Sequence, residues 1–187
     1  MSAILAMTGI EHARQVARVV LEALPERWQH TQGVAARAAE LAATLGEDPE
    51  VLVAAAWLHD IGYGEAARDT GFHPLDGARY LARNHWPARI NALVAHHSGA
   101  CFVAEARGLR DALSGYPREE SSLADALTYA DQTVGPWGQR TCVRQRMAEM
   151  LQRHGGDSPN ATAHRLRGPY LLALAQRVEQ HLGQTAT

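Results

Sequence analysis

The segment that most constrains the fold is Val51–Leu58, eight residues of which none is polar apart from the indole nitrogen of Trp57. Asp48-Pro49 precedes it, a capping carboxylate followed by a proline at the first helical position, where the missing N–H costs nothing. Too short to cross a bilayer and opened by helix-start chemistry, the run predicts a helix over Pro49–His59. Because it is apolar all round, that helix lies at the centre of a core. It ends on His59-Asp60 and then Ile61-Gly62. A carboxylate at the inner end of a buried helix needs a partner, since an unpaired buried charge is very costly.

The rest of the chain is also helical in pattern. Apolar residues recur every three or four positions and no run of alternating β-branched residues appears, so the fold class is all-α with no appreciable sheet. The periodicity predicts helices over Glu11–Ala23, Arg27–Leu45, Pro74–Arg83, Pro87–His96, Ala104–Leu113, Ser121–Thr133, Thr141–His154 and Pro159–Gln180. Gly168-Pro169 is expected to kink or split the last one. Ile61–Phe72, with Gly62, Gly64 and Gly71, reads as a loop, and the tail after Gly183 as loose. At 187 residues the chain is read as a single domain over 1–187, a helical bundle with its chemistry within about 27–135 and C-terminal helices over 140–182.

Composition excludes several functions. The formal net charge is −2, which provides no electrostatic footprint for a nucleic acid polymer. All 18 basic residues are arginine. Schiff-base chemistry and a lysine nucleophile are thereby excluded, and arginine is the one permanent side-chain cation for gripping an anion. Two cysteines, Cys101 and Cys142, together with an opening Met1–Ile10 that lacks a targeting pattern, lead to the expectation of a reduced, cytoplasmic protein. No stretch has the roughly 18 consecutive apolar residues of a membrane span. Oligomeric state is not legible.

Ten histidines are many for this length. His59 and Asp60 can turn toward one ion where their helix unwinds, and imidazole plus carboxylate suits Fe, Mn, Zn, Co or Ni. Further ligands must come from elsewhere: His30 on the second helix, His73 before the fourth, His96-His97 closing the fifth, and Asp131 at the end of an apolar helical stretch. His12, His85, His154, His164 and His181 read as surface residues. Trp57, Tyr63, Phe72, Trp86 and Trp137 read as packing residues.

The ordered set His30 … His59-Asp60 … Asp131, with the local text Arg27-x-x-His30, Leu58-His59-Asp60-Ile61-Gly62 and Tyr129-Ala130-Asp131, resembles the HD-domain superfamily of metal-dependent phosphohydrolases over about residues 27–135. The small bacterial members acting on diadenosine tetraphosphate are one similar group. The resemblance implies one or two divalent ions, held by His30, His59, Asp60 and Asp131, with His73 and a histidine of the His96-His97 pair on a second ion and Asp60 bridging. Between the two neighbours, the local match Ala92-Leu93-Val94-Ala95-His96 favours His96. It also implies a nucleotide or other small phosphorylated substrate and a water activated by the metal; Arg27 is the first choice for the phosphate contact. Alternatives within reach of the same ligands are a di-iron oxygenase and a non-catalytic regulatory module. Two departures stand out: Tyr63 occupies the place where many members carry a lysine after the His-Asp turn, and the Gly-Tyr-Pro tripeptide of the cyclic-dinucleotide branch is absent. Residues 140–187 contribute nothing recognisable to the resemblance.

Overall fold

A computed structural model describes residues 9–185; for Thr185 only the backbone is described. The reading of Met1–Ile10 as free of a targeting pattern falls outside these residues through Thr8, as does the end of the tail. Among the described residues the chain is all-α, with one isolated bridge, Val134 to Arg140, and no strand. In order the helices are α1 (Gly9–Leu21), α2 (Pro25–Leu45), α3 (Pro49–Leu58), α4 (His73–Arg83), α5 (Ala88–His96), α6 (Ala100–Ala106), α7 (Arg110–Ser114), α8 (Ser122–Gln132), α9 (Val143–His154) and α10 (Pro159–Thr185), with short 3-10 turns over Ile61–Tyr63 and His97–Gly99. No helix is long and apolar enough to cross a membrane.

The apolar run becomes the central helix. Asp48 accepts from the backbone N–H groups of Glu50 and Val51 and caps α3. Leu52, Val53, Ala54, Ala55, Ala56 and Leu58 are all buried. One side of α3 joins a cluster built from α2, α8 and α10, including Val34, Leu41, Leu127, Leu171 and Leu174. The other side, through Ala54 and Leu58, meets Ala13, Ile61, Leu81, Ile90 and Val94. Helix α3 therefore enters the molecule between two cores and delivers His59-Asp60 at its inner end. Truncating Leu58, fully buried, to alanine is worth about 2–5 kcal/mol in such a setting.

Three expectations are corrected. The second helix begins at Pro25 and not at Arg27, with the proline as its first residue, the position its fixed φ suits. The segment Ala104–Leu113 is not one helix. Gly108, at φ +67°, ends α6, and α7 restarts at Arg110. Helix α10 is not split at Gly168-Pro169. Proline removes one backbone donor there, but Leu171, Leu174, Ala175 and Val178 beyond it are buried against the core and anchor the segment that follows.

Candidate metal centre

Four segments converge at the inner end of α3. His30 comes from α2, His59 and Asp60 from the end of α3, His97 from the turn after α5, and Asp131 from α8; all five are buried. His73 opens α4 and is partly exposed.

Each buried histidine is oriented by a backbone carbonyl. His30 Nδ1 lies 3.0 Å from the Gly135 oxygen, His59 Nδ1 2.7 Å from that of Ala56, and His97 Nδ1 2.7 Å from that of Val94. A carbonyl only accepts, so each Nδ1 carries the proton and each Nε2 turns a lone pair inward, as metal-ligating imidazoles do. Those inward atoms face other acceptors. His30 Nε2 is 3.0 Å from Asp131 Oδ1 and 3.8 Å from Asp60 Oδ2. His59 Nε2 is 3.5 Å from Asp60 Oδ2 and 3.8 Å from Asp131 Oδ1, and has no hydrogen-bond partner although fully buried. His73 Nε2 stands 3.3 Å from both Asp60 Oδ1 and His97 Nε2. Lone pairs and carboxylate oxygens gathered like this repel unless a cation sits among them. His30, His59 and Asp60 form one group with ligand atoms close enough for a single ion, and Asp60, His73 and His97 form another. The donor set fits a divalent metal, with Asp60 common to both groups.

The preference for His96 is corrected here. His96 Nε2 is taken up by the Tyr116 carbonyl at 2.7 Å, while His97 groups with Asp60 and His73. The cause is the backbone after the helix: His97 leaves it at ψ 154°, and Ser98 and Gly99 both take left-handed conformations, at φ 54° and 66°. For Ser98 that conformation is strained. It is held by Thr128 Oγ1 accepting from its N–H at 3.1 Å, by Arg167 Nε donating to its carbonyl at 2.7 Å, and by its own hydroxyl donating to Asp131.

Two glycines set the geometry from outside. A Cβ on Gly62 would lie 2.1 Å from the His73 carbonyl oxygen and 2.7 Å from Gly77 N, so the turn after Asp60 rests directly on the start of α4 and brings His73 to Asp60. A Cβ on Gly33 would lie 2.7 Å from Val134 and 2.9 Å from the Gly138 backbone. That contact seats α2 against the loop whose Gly135 carbonyl orients His30. Asp76, not anticipated as important, is fully buried. It accepts from the N–H groups of Asp69, Thr70 and Gly71 and from the Thr70 hydroxyl, folding the loop that precedes His73.

Burial opposes ionisation of Asp60 and Asp131. Positive charge at the Nε2 atoms of His59 and His30, a second proton standing where a metal would, outweighs burial together with the Arg27 guanidinium beside Asp60, so both carboxyls are held well below the usual range. Burial pushes His73 and His97 down, despite nearby carboxylates, which keeps them neutral and available as ligands. Arg27 Nη1 reaches Asp60 Oδ2 at 3.1 Å, and its guanidinium lies 4.2 Å from the centroid of the Tyr63 ring. Tyr63 stacks on His73 at 4.1 Å. Burial outweighs Arg27 and pushes its phenol up to about 12, so it keeps its proton at neutral pH.

The cluster opens into a cavity of about 160 Å³ whose wall includes Arg27, Tyr63, His73, Asp131 and Gln132. Tyr63, Gly71 and Phe72 of the loop after α3, and Ser98 and Val103 after α5, line one side. Arg146, Met150, Arg153 and His154 of α9 and Asn160 and Arg167 of α10 also line the cavity. On α9, Arg146, Met150 and Arg153 share one face at i, i+4, i+7 spacing, a pattern that in sequence is indistinguishable from a solvated face. Trp137, read as a packing residue, is 58% exposed.

The HD-domain family model matches residues 27–134. The chain belongs to the HD-domain family, and its buried His/Asp cluster is of the kind these metal-dependent phosphohydrolases use to hold divalent ions. The comparisons with curated proteins and with solved structures gave no match. The family match ends before α9 and α10 begin, so the second cavity wall lies outside it.

Proposed function

We propose that the protein is a metal-dependent phosphohydrolase that cleaves a small phosphoester, with one ion among His30, His59, Asp60 and Asp131 and a second among Asp60, His73 and His97. The reading is carried by His59 Nε2: fully buried, without a hydrogen-bond partner, and pointed between two carboxylates. The described residues form one domain, because Leu171 and Leu174 of α10 share a core cluster with α2, α3 and α8.

Divalent ions so held bring the pKa of a bound water toward about 7 and draw charge from a phosphoryl oxygen. The chain's own residues supply the rest. Asp60 offers one carboxylate oxygen to each ligand group. Arg27 fixes that carboxylate and presents its guanidinium at the cavity wall, where it neutralises charge on the phosphoryl oxygens. Gln132 Nε2 and the Ser98 hydroxyl donate to Asp131 Oδ2, leaving Oδ1 turned toward His30 and His59. Tyr63, held between Arg27 and His73, keeps both in place and closes that side of the cavity.

An oxygenase built on two irons would use the same ligands. The arginines in the cavity wall favour an anionic substrate and hydrolysis. Phosphate release from nucleotides and simple phosphoesters with added manganese, iron or cobalt tests the reading. Turnover that disappears in His59→Asn supports it; no release from any substrate, or product formation that requires dioxygen, overturns it.

A further inference from the structure

The wall contributed by α9 and α10 has a property the metal cluster does not explain. Arg146 and Arg167 are only 8% and 9% exposed, yet both face the cavity. Arg146 Nε is buried without a hydrogen-bond partner, and the nearest carboxylate oxygen, Glu149 Oε2, is 3.9 Å from Arg146 Nη1, beyond hydrogen-bond range, while Glu149 Oε1 accepts from Gln145. Arg167 donates through Nε to the Ser98 carbonyl and has no carboxylate within 4.0 Å among the described residues. At the mouth stand Arg107, bonded only to the carbonyls of Gly71 and Thr70, and Arg153, which also reaches Glu26 at 3.1 Å. Buried guanidinium groups with no carboxylate in hydrogen-bond range reduce stability. They have the fork geometry that takes an oxyanion in two hydrogen bonds. The aromatic rings at the cavity are already engaged, Tyr63 between His73 and Arg27 and Phe72 under Arg107. The wall is therefore built for charge and not for stacking a base.

We propose that Arg146 and Arg167, with Arg107 and Arg153 at the mouth, form an anion subsite that holds a second phosphoryl group of the substrate, beyond the one at the metal cluster. Its assignment to the substrate rests on the phosphohydrolase reading above. Anion binding by the arginines does not, and it can be measured on its own. In this arrangement the residues that select the substrate lie on α9 and α10, outside the family match, while those that perform the chemistry lie inside it.

The test uses the full chain stripped of metal, so that neither turnover nor chelation by the probe intervenes. Calorimetric titration compares methylenediphosphonate, which carries two linked phosphoryl-like groups and resists hydrolysis, with inorganic phosphate. The expected result is binding of the diphosphonate about tenfold tighter or more, with the advantage lost in Arg146→Met and reduced in Arg153→Gln. Arg146→Met is also expected to melt no lower than the wild type, because it removes an unsatisfied buried charge. Equal affinity for the two probes, an advantage that survives both substitutions, or a lower melting temperature for Arg146→Met would each overturn the proposal. If the two-group anion binds as expected but no phosphoester is ever turned over, the subsite stands and the phosphohydrolase reading fails.

Discussion

His96 and His97 are chemically identical neighbours, and the backbone between them decides which one can serve a metal. His96 ends α5 with its ring on the Tyr116 carbonyl, whereas His97 is carried inward by the left-handed turn at Ser98 and Gly99. His97→Ala is expected to remove the second ion of the proposed pair and His96→Ala to leave metal content unchanged; elemental analysis of the two variants checks this, and an equal loss in both would contradict it. Asp76 illustrates the other kind of buried carboxylate. Its partners are N–H groups and a hydroxyl, not a cation, so its role is to fold a loop. Asp76→Ala strands three backbone donors, each costing about 1–3 kcal/mol, and urea unfolding should show a loss of about 3 kcal/mol or more. A loss below about 1 kcal/mol would show that water replaces the carboxylate freely.

At the scale of elements, the site depends on close backbone approach. The Ile61–Tyr63 turn touches the first turn of α4 at Gly62, where even a methyl group meets backbone atoms. Gly62→Ala therefore has to push α4 and His73 away from Asp60. The expected cost is about 3 kcal/mol or more, together with selective loss of the second ion; unchanged stability in thermal melts and unchanged metal content would refute the contact. Much of this layer was legible in the sequence, for definite reasons. Asp48-Pro49 and Ser121 announce helix starts by local chemistry, and the apolar run could only be central. The His-Asp pair at its end needed a partner. What was not legible depended on tertiary placement. Gly108 could be read equally as a helix interior or an end. The arginines of α9 look like any solvated face until α10 and the turn at Ser98 enclose them. No pattern in Ala95-His96-His97-Ser98 reveals that a serine adopts positive φ.

For the molecule as a whole, α3 spans two cores and brings its polar end to where α2, α4, α8 and the turn after α5 meet. The cluster of inward-facing acceptors there is destabilising by itself, and the fold tolerates it because Leu52, Ala55, Ala56 and Leu58 are fully buried and bind α3 to both sides. Metal binding should accordingly stabilise the whole chain. At a metal concentration 100 times the dissociation constant the linkage is about 2.7 kcal/mol, which for a chain of this size corresponds to a rise in Tm of roughly 5–10 °C; a calorimetric scan with and without manganese measures it, and coincident melts would contradict the linkage.

The most direct test of the central claim, that these histidines and aspartates converge in order to hold cations, is equilibrium dialysis of chelator-stripped protein against manganese. The account predicts saturable binding of two ions per chain, falling in His59→Asn and nearly abolished in Asp60→Asn, whose carboxylate both ligand groups share. Absence of saturable binding in the wild-type chain, or binding that Asp60→Asn leaves intact, would contradict it.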